Sequence, residues 1–215
     1  LLVSDAFMRA VENDEEWGLV SPKDGAVLRK ISARSLWIRI LTARIETGAL
    51  NEAVSDVFGI LVKQMHENET SETSDWLIGE GLFTDRVKGV ALRSMKAPGT
   101  AYDDPVLGRD PQPADMADFQ DLPHDAEHDN GGVHTNSGIP NRAFYLAASA
   151  LGGYAWERAG QIWFDTITAK GVPKDIDFAG FAARTVAAAS KRYGTKSEEV
   201  SAVEEAWATV GVDLP

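Results

Sequence analysis

The sequence predicts a mainly α-helical protein whose C-terminal part is a helical bundle. Three observations lead to this fold class. Apolar residues recur at helical spacing through most of residues 141–210, capping residues or glycine stand at the ends of those segments, and 44% of the 215 residues are apolar. This apolar content is enough to build a core in one large domain or two small ones.

The N-terminal segment is predicted to form a helix, a hairpin and a second helix. Ser4 is a suitable N-cap for a helix that runs to about Trp17. The stretch Ser-Pro-Lys-Asp-Gly at 21–25 separates two short β-prone runs, a pattern typical of a hairpin. An apolar stripe from Leu36 to Ile45 then ends at Gly48, a natural C-terminal cap.

Helices are also predicted for the remainder, apart from one long irregular stretch. The apolar spacing predicts a helix from Ala49 to about Met65. Residues 66–140 are rich in Pro and Asp and show weak periodicity, and so long an irregular stretch is more often functional than idle. Further helices are predicted over residues 141–151, 154–170, 177–193 and 197–210.

The charge distribution argues against two classes of partner. The formal net charge is −12, and because residues 1–50 carry seven basic and seven acidic side chains, the negative charge lies in residues 51–215. Neutralising phosphates requires clustered Lys and Arg, so nucleic acid and anionic membranes are not expected partners. No run of eighteen apolar residues occurs, so no membrane-spanning helix is expected. The lack of cysteine excludes disulfides, thiolate metal sites and a Cys nucleophile.

The histidine-rich stretch HDAEHDNGGVH at 124–134 contains one candidate metal motif. Its first five residues, His124 to His128, match H-x-x-E-H, the inverted zinc-peptidase pattern. That reading requires a helix that projects both histidines from one face. The proline before the motif and the Asp-Asn-Gly-Gly after it disfavour such a helix. A solvated acidic loop is therefore expected here rather than a pair of zinc ligands.

Two pairs of polar residues are further candidates for chemistry. Glu52 and Asp56 are spaced i and i+4 on one helix face, where like charges destabilise unless they share a cation or a donor. A solvated face is the commoner reading of such a pair, although the small residues beside it suit close packing. Asp129 and His134 lie five residues apart across a Gly-Gly pair. A tight turn would make them a carboxylate–imidazole pair suited to a proton-donating or oxyanion-stabilising role.

Several strings, in order, resemble the C-terminal domain of thermolysin-like zinc metallopeptidases. They are TGALNEA at 47–53, LRSM at 92–95, DNGGVHTNSGIPNRAFYL at 129–146 and AWATVGV at 206–212. The resemblance covers about residues 47–213, and its DNGGVHTNSG string is long and specific. It implies the family's helical C-terminal domain over residues 48–215, with a long loop-rich insertion, and it implies zinc-dependent hydrolysis of peptide bonds.

The resemblance also implies roles for individual residues. Glu52 corresponds to the third zinc ligand of the family, and Asp56 to the carboxylate that orients a ligand histidine. His134 corresponds to the histidine that donates a hydrogen bond to the tetrahedral intermediate, with Asp129 as its orienting partner. The implied substrate is a peptide or protein with a bulky apolar side chain at the cleavage site. Residues implied in binding it are Arg93, on a substrate carbonyl oxygen, and Leu92, in the neighbouring apolar pocket.

The sequence departs from the family pattern at both expected metal sites. The family's other zinc ligands and its general base lie on an H-E-x-x-H helix, and no such motif occurs in these 215 residues. A catalytic zinc takes three protein ligands, so Glu52 alone forms an incomplete site and the N-terminal peptidase lobe is the expected missing partner. Asp75 and Glu80 match calcium-ligand positions of the family. However, Lys63 and Leu77 replace expected acids, so calcium binding has weak support.

Residues 1–47 are similar to an interior segment of the large catalytic subunit of ribonucleotide reductases, along VSDAFMRAVENDEEWGLV and ARSLWIRILTARIETG. The segment has no cysteine, so reductase activity is not expected. The two resemblances meet at residues 46–49, close to the change in charge. The chain is therefore expected to be a chimera of two domains, 1–47 and 48–215, produced by natural recombination, by a sequence-assembly artefact or by design.

Two functions are open at the level of sequence. The first is the C-terminal domain of a thermolysin-like zinc metalloendopeptidase, inactive alone because the zinc helix is absent. The alternative is a non-catalytic helical interaction or structural domain, or a chimeric fragment. The peptidase family is mostly secreted, whereas the first residues show no signal-peptide pattern and reductases are cytosolic, so an extracellular and a cytoplasmic location both stay open.

Overall fold

The computed structural model describes residues 16–20, 27–32, 45–123 and 125–215 of the chain, which divides into two compact units, Leu1–Thr42 and Ala43–Pro215. In the first unit, strands β1 (Glu16–Val20) and β2 (Val27–Ser32) form an antiparallel hairpin at the predicted place. β1 corrects the end of the predicted first helix, because Trp17 pairs with Ile31 across the ladder. The rest of that helix and the stripe before residue 45 lie outside the described residues.

The second unit is mainly helical, as the sequence predicts. Its helices pack against one another as a bundle. No helix in the described part of the chain is long and apolar enough to cross a membrane. The helices are α1 (Ile45–Glu67), α2 (Asp129–Asn136), α3 (Gly138–Leu151), α4 (Ala159–Thr168), α5 (Phe178–Tyr193) and α6 (Glu198–Thr209).

Helix α1 differs from the prediction at its start. Gly48 was expected to end a helix, but α1 begins at Ile45 and continues through it. A glycine inside a helix costs only about 1 kcal/mol relative to alanine. Two contacts of the first turn offset that cost: the Thr47 hydroxyl donates to the carbonyl oxygen of Ile176 at 2.8 Å, and the Glu46 carboxylate accepts from the N–H of Phe178 at 2.7 Å. Tertiary packing therefore overrides the local stop signal.

The stretch between α1 and α2 has little regular structure, in agreement with the predicted loop-rich insertion. It contains two ladders of two residues per strand, each antiparallel. It also contains two single 3₁₀ turns, Met116–Asp118 and Ala126–His128. The strands are β3 (Leu77–Ile78), β4 (Arg93–Ser94), β5 (Asp103–Asp104) and β6 (Gly108–Arg109).

A chain of buried aromatic rings joins the helices to the insertion. Trp163 of α4 and Trp207 of α6 stack with ring centroids 6.2 Å apart, and Phe144 of α3 meets Trp163 edge to face at 5.0 Å. Phe144 also contacts Trp76 from the insertion at 6.0 Å. Large aromatic side chains dominate core energetics, so this chain of contacts anchors the insertion on α3.

Candidate active site

Helix α1 presents Glu52 and Asp56 on a face that is largely buried. The side chain of Glu52 is 17% exposed and that of Asp56 is 7% exposed. The neighbouring Ala49 and Ala53 are also buried, so other parts of the chain approach this face closely. The commoner reading of the pair as a solvated face is therefore wrong for this protein.

The buried Asp56 carboxylate accepts three hydrogen bonds from other residues. Arg93 donates to it through Nε at 2.8 Å and through Nη2 at 2.6 Å, and the Asn141 amide adds a third bond at 2.8 Å. Burial works to lower the pKa of the Arg93 guanidinium, but the negative charge of Asp56, with smaller contributions from Glu52 and Asp110, outweighs burial and raises that pKa. Arg93 thus stays charged, and its bonds to Asp56, with that of Asn141, tie α1 to β4 and α3.

The sequence Asp-Asn-Gly-Gly at the start of α2 forms a left-handed turn. The φ angles of Asp129, Asn130, Gly131 and Gly132 are 58°, 49°, 93° and 80°. Left-handed backbone is tolerated by Gly and, among the other residues, mainly by Asn and Asp, so these four residue types suit this conformation. The structure corrects the predicted loop: a left-handed turn passes into a short right-handed segment that carries His134.

The turn brings the carboxylate of Asp129 onto His134. Oδ1 of Asp129 lies 2.5 Å from Nδ1 of His134, while Oδ2 accepts from the backbone N–H groups of His134 at 2.8 Å and Thr135 at 3.0 Å. A carboxylate only accepts hydrogen bonds, so Nδ1 carries the proton in this contact. The opposite ring nitrogen, Nε2, lies 3.4 Å from Oε2 of Glu52. The half-exposed imidazole therefore stands between two carboxylates from different helices.

Leu92 lies at the edge of this group of residues. It precedes Arg93 in the chain, and its N–H donates to the carbonyl oxygen of Ile78 at 3.0 Å. A Cβ built on Gly79 would lie 2.8 Å from Cδ1 of Leu92 and 3.1 Å from Cδ1 of Leu82. Leu92 thus belongs to an apolar group beside Arg93, with Leu82 54% exposed.

The H-x-x-E-H stretch does not form the helix that its zinc reading requires. His124 lies outside the described residues. The others form the single 3₁₀ turn Ala126–His128, capped by Asp125, whose carboxylate accepts from the N–H groups of Glu127 and His128. Nδ1 of His128 also lies 2.7 Å from Asp125, on a largely exposed surface.

The donors of the described residues do not by themselves fit a catalytic zinc. Across residues 16–20, 27–32, 45–123 and 125–215, no three His, Asp or Glu side chains converge with a geometry that would hold a metal ion. Glu52 offers one carboxylate, and one nitrogen of His134 is committed to Asp129. A catalytic zinc requires three protein ligands, so these described residues alone do not complete such a site.

The side-chain ammonium of Lys63 lies in the region where the resemblance places calcium. Nζ of Lys63 lies 2.7 Å from Asp75 and 2.9 Å from Glu80. Burial works to lower the pKa of Lys63, but hydrogen bonds to both carboxylates outweigh it and raise that pKa. Burial works to raise the pKa of Asp75, yet the bond from Lys63 and the N–H of Leu77 lower it overall. The cation next to these two acids is therefore a side chain.

Asn141 is a site residue that the sequence analysis did not single out. It is 1% exposed, and its side-chain amide donates to Asp56. A signal was present: Asn141, Phe144 and Ala148 share one face at helical spacing, so Asn141 is a polar residue on an apolar face. Such a residue needs a buried partner, and only the tertiary structure identifies it.

Comparisons with known proteins identify the family of this chain. Residues 41–212 match the family model described as thermolysin metallopeptidase, alpha-helical domain. The chain is 53% identical over 169 residues to an extracellular metalloprotease of Pectobacterium carotovorum subsp. carotovorum, covering 79% of this chain and 47% of the relative. It is 37% identical over 174 residues to a thermolysin of Alicyclobacillus acidocaldarius subsp. acidocaldarius, covering 78% of this chain and 29% of the relative.

A solved structure is similar as well. It is the precursor of protealysin, a metalloproteinase from Serratia proteamaculans, with a TM-score of 0.72 and 60% identity, covering 78% of this chain and 50% of that chain. The chain thus spans about half the length of its more similar relatives, and less of the thermolysins. The family match and these identities show that the chain belongs to the thermolysin metallopeptidase family and carries its alpha-helical C-terminal domain.

Proposed function

We propose that this domain is the substrate-binding and oxyanion-stabilising half of a zinc-dependent endopeptidase, with peptides or proteins as substrates. The observation that carries the proposal is the approach of two helices at one point. Glu52 from α1 and His134 from α2 lie 3.4 Å apart, and His134 is held from behind by Asp129. These three relatives are named proteases, and two of them are named extracellular, which supports a secreted protease.

His134 is the proposed donor to the developing oxyanion. Asp129 holds Nδ1 and two backbone N–H groups of this turn, so the direction of the ring is set before substrate arrives. An imidazolium held in this way donates through Nε2 to a tetrahedral intermediate. Preorganisation matters because the donor then needs no reorganisation during the reaction.

Arg93 is the proposed ligand of a substrate carbonyl oxygen, and Leu92 the proposed wall of the adjacent apolar pocket. Arg93 uses Nε and Nη2 to bind Asp56. We propose that Nη1, which does not take part in these two bonds, donates to the substrate. Asp56 would both fix the guanidinium and orient a ligand histidine supplied by the other lobe.

Zinc would take one ligand, Glu52, from this chain. We propose that the chain alone is inactive, because the other ligands and the general base require an H-E-x-x-H helix that its sequence lacks. We further propose that calcium is not needed at the expected site, because the Lys63 ammonium already forms ion pairs with both Asp75 and Glu80.

Complementation tests this proposal. The chain is produced together with an H-E-x-x-H lobe from a relative, and zinc content and hydrolysis of a peptide with Phe or Leu after the scissile bond are measured. We expect activity only in the mixture. His134→Ala should then lower kcat by about 10²- to 10³-fold with zinc retained, and Glu52→Ala should lose the zinc. Full activity of His134→Ala would show that the assigned role is wrong.

A second candidate is a non-catalytic interaction domain. It is favoured by the lack of a converging metal-ligand group in the described residues and of an H-E-x-x-H motif in the sequence. The two candidates separate in the same experiment. A folded mixture that binds neither zinc nor substrate would favour the interaction domain.

We also propose that residues 1–47 derive from a ribonucleotide-reductase-like segment, joined to the peptidase domain as a chimera. The quoted strings and the change in charge support this origin, and the family match starts only at residue 41. The proposed join at 46–49 falls inside α1, which runs unbroken from Ile45. The gene sequence upstream and across Gly48 tests the origin directly: a continuous peptidase reading frame would contradict it.

A further inference from the structure

We propose that Gln112, in the loop before α2, is a positioning residue for His134. This inference rests on the proposed function of His134. The side-chain Nε2 of Gln112 donates to the backbone carbonyl oxygen of His134 at 2.7 Å and to the hydroxyl of Ser137 at 2.9 Å. The Ser137 hydroxyl in turn donates to the same carbonyl oxygen at 2.8 Å. His134 is thus held at two ends, by Asp129 on the ring and by Gln112 on the backbone.

The loop that carries Gln112 is itself organised by one buried carboxylate. Asp110 is 4% exposed and accepts hydrogen bonds from the N–H groups of Gly99, Ala101 and Gln112, each at 3.1 Å. Three bonds from the backbone to one carboxylate fix the direction in which the Gln112 side chain leaves the loop. Gln112 therefore binds His134 from a rigid loop rather than from a mobile one.

Gly138 allows the loop to reach the helix. A Cβ at this position would lie 2.6 Å from the carbonyl oxygen of Pro113 and 3.0 Å from Cβ of Gln112. Any larger residue would push the loop away from the start of α3. The close approach brings the Gln112 amide within hydrogen-bond distance of the residue that carries the imidazole.

Burying the polar side chain of Gln112 is unfavourable for stability unless the hydrogen bonds that it donates serve another purpose. Gln112 is 6% exposed, and its Oε1 has no hydrogen-bond partner among the described residues. A buried polar atom without a partner destabilises a fold, so stability alone does not explain a glutamine here. Positioning of His134 does explain it, since functional sites are where such local costs are retained.

The test reads the imidazole of His134 directly in the chain, without metal or substrate. Two variants are compared with wild type by NMR of ¹⁵N-labelled histidine, which reports the ring tautomer and the exchange rate of the Nδ1 proton. Gln112→Ala removes the amide, and Gln112→Glu keeps its shape while replacing the donor by an acceptor. In both variants we expect Nδ1 exchange to become about tenfold faster, because His134 loses the anchor on its backbone and the ring is then held less firmly against Asp129.

Gln120→Ala is the matched control. Within the described part of the chain, its side chain donates to Asp118 alone, whereas its backbone, which the substitution keeps, bonds to Asn136 of α2. The ring signals of this variant should equal those of wild type. The proposal is overturned if both Gln112 variants fold, by circular dichroism, and keep wild-type exchange. It is also overturned if Gln112→Glu does not fold, since Gln112 would then serve the fold itself.

The exchange measurement tests positioning by Gln112 independently of the catalytic role of His134. Wild-type exchange in the Gln112 variants would reject positioning by Gln112 and leave the catalytic role of His134 open. Full activity of His134→Ala in the complemented enzyme would reject the catalytic role and leave the hydrogen bond from Gln112 intact. In the complemented enzyme, Gln112→Ala should lower kcat by about 10- to 100-fold with little change in KM, as expected for a displaced reacting group.

Discussion

The Asp56 carboxylate lies in a nearly closed environment, where it accepts hydrogen bonds from three donors. Two are nitrogens of Arg93 and one is the amide of Asn141. Replacing a whole buried ion pair by apolar residues is often neutral, but removing one partner leaves an uncompensated charge. Removing a single member of this group should therefore lower the free energy of unfolding more than replacing the whole pair.

Truncating Asp56 should destabilise the domain strongly. Asp56→Ala leaves the Arg93 guanidinium, whose side chain is 19% exposed, without its counterion. We expect the free energy of unfolding, measured by urea denaturation, to fall by about 3–5 kcal/mol. Asp165→Ala is the control, because the Arg192–Asp165 pair has the same two-bond geometry but is 29% and 32% exposed. The control should lose less than about 1 kcal/mol. Equal losses in both variants would contradict this account.

Lys63 gives the domain a defined dependence on pH. The pKa of Asp75 is lowered in the folded state, so the stabilisation from this carboxylate is present above its unfolded pKa of about 4 and is lost as pH falls through the folded pKa. The pKa of Lys63 is raised, so its contribution is complete below about pH 10.4 and is lost as pH rises through the folded pKa.

Lys63→Met should therefore be less stable than wild type by about 0.5–1 kcal/mol between pH 5 and 9, a modest loss because the pair is partly exposed. The difference should shrink below about pH 4 as Asp75 is protonated in both chains. Urea denaturation across this range measures it, with Lys96→Met at an exposed position as the control. A difference independent of pH down to pH 2 would exclude the ion pair as its cause.

At the scale of elements, the turn at the start of α2 determines where His134 lies. Four successive residues with positive φ reverse the local handedness of the backbone, and the chain then enters a right-handed segment. This reversal lets Asp129 reach both the ring and the backbone of a residue five positions ahead. A right-handed helix through the same residues would place position 129 nearer to positions 132 and 133.

Two glycine substitutions should change stability in opposite directions. Gly132 has φ +80°, and a Cβ there would lie 3.0 Å from the Asn136 amide, so Gly132→Ala should lower the free energy of unfolding by about 1–2 kcal/mol. Gly59 lies inside α1 with nothing within 4 Å of the added Cβ, so Gly59→Ala should raise it by about 0.5–1 kcal/mol. Thermal unfolding of both variants measures this. Stabilisation by Gly132→Ala would show that the turn is not left-handed.

The sequence predicts the helices of the bundle well and the irregular elements poorly. Periodicity locates α3, α5 and α6 within about three residues of their predicted bounds, because each has one buried face. It places the start of α4 five residues too early, since Tyr154 to Arg158 form turns. It misses α2 altogether, because Asp-Asn-Gly-Gly has low helix propensity and its geometry depends on a left-handed turn.

At the scale of the whole molecule, residues distant in sequence form one arrangement that spacing alone does not reveal. The spacing predicted the pair of Asp129 and His134, and the resemblance assigned Glu52 as a ligand, but that Nε2 of His134 faces Glu52 is visible only in three dimensions. The partners of Asp56 from β4 and α3 are likewise 37 and 85 residues away. Local patterns therefore identify the elements, whereas tertiary contacts identify which polar residues share a site.

The chain belongs to a metallopeptidase family, and Glu52 is the one metal ligand that we propose it supplies. Its sequence has no H-E-x-x-H motif, and its described residues contain no converging group of three donors. These two facts are explained if the domain is one half of a composite active site. The binding of zinc is then a property of two lobes together rather than of this chain.

The most direct test of that claim is the zinc content and zinc affinity of the purified chain. The chain is equilibrated with zinc, freed of excess metal by gel filtration, and measured by atomic emission and by titration calorimetry. The account predicts substoichiometric zinc and no sub-micromolar binding, unchanged by Glu52→Ala. One zinc per chain at sub-micromolar affinity, lost in Glu52→Ala and accompanied by peptide hydrolysis, would contradict it.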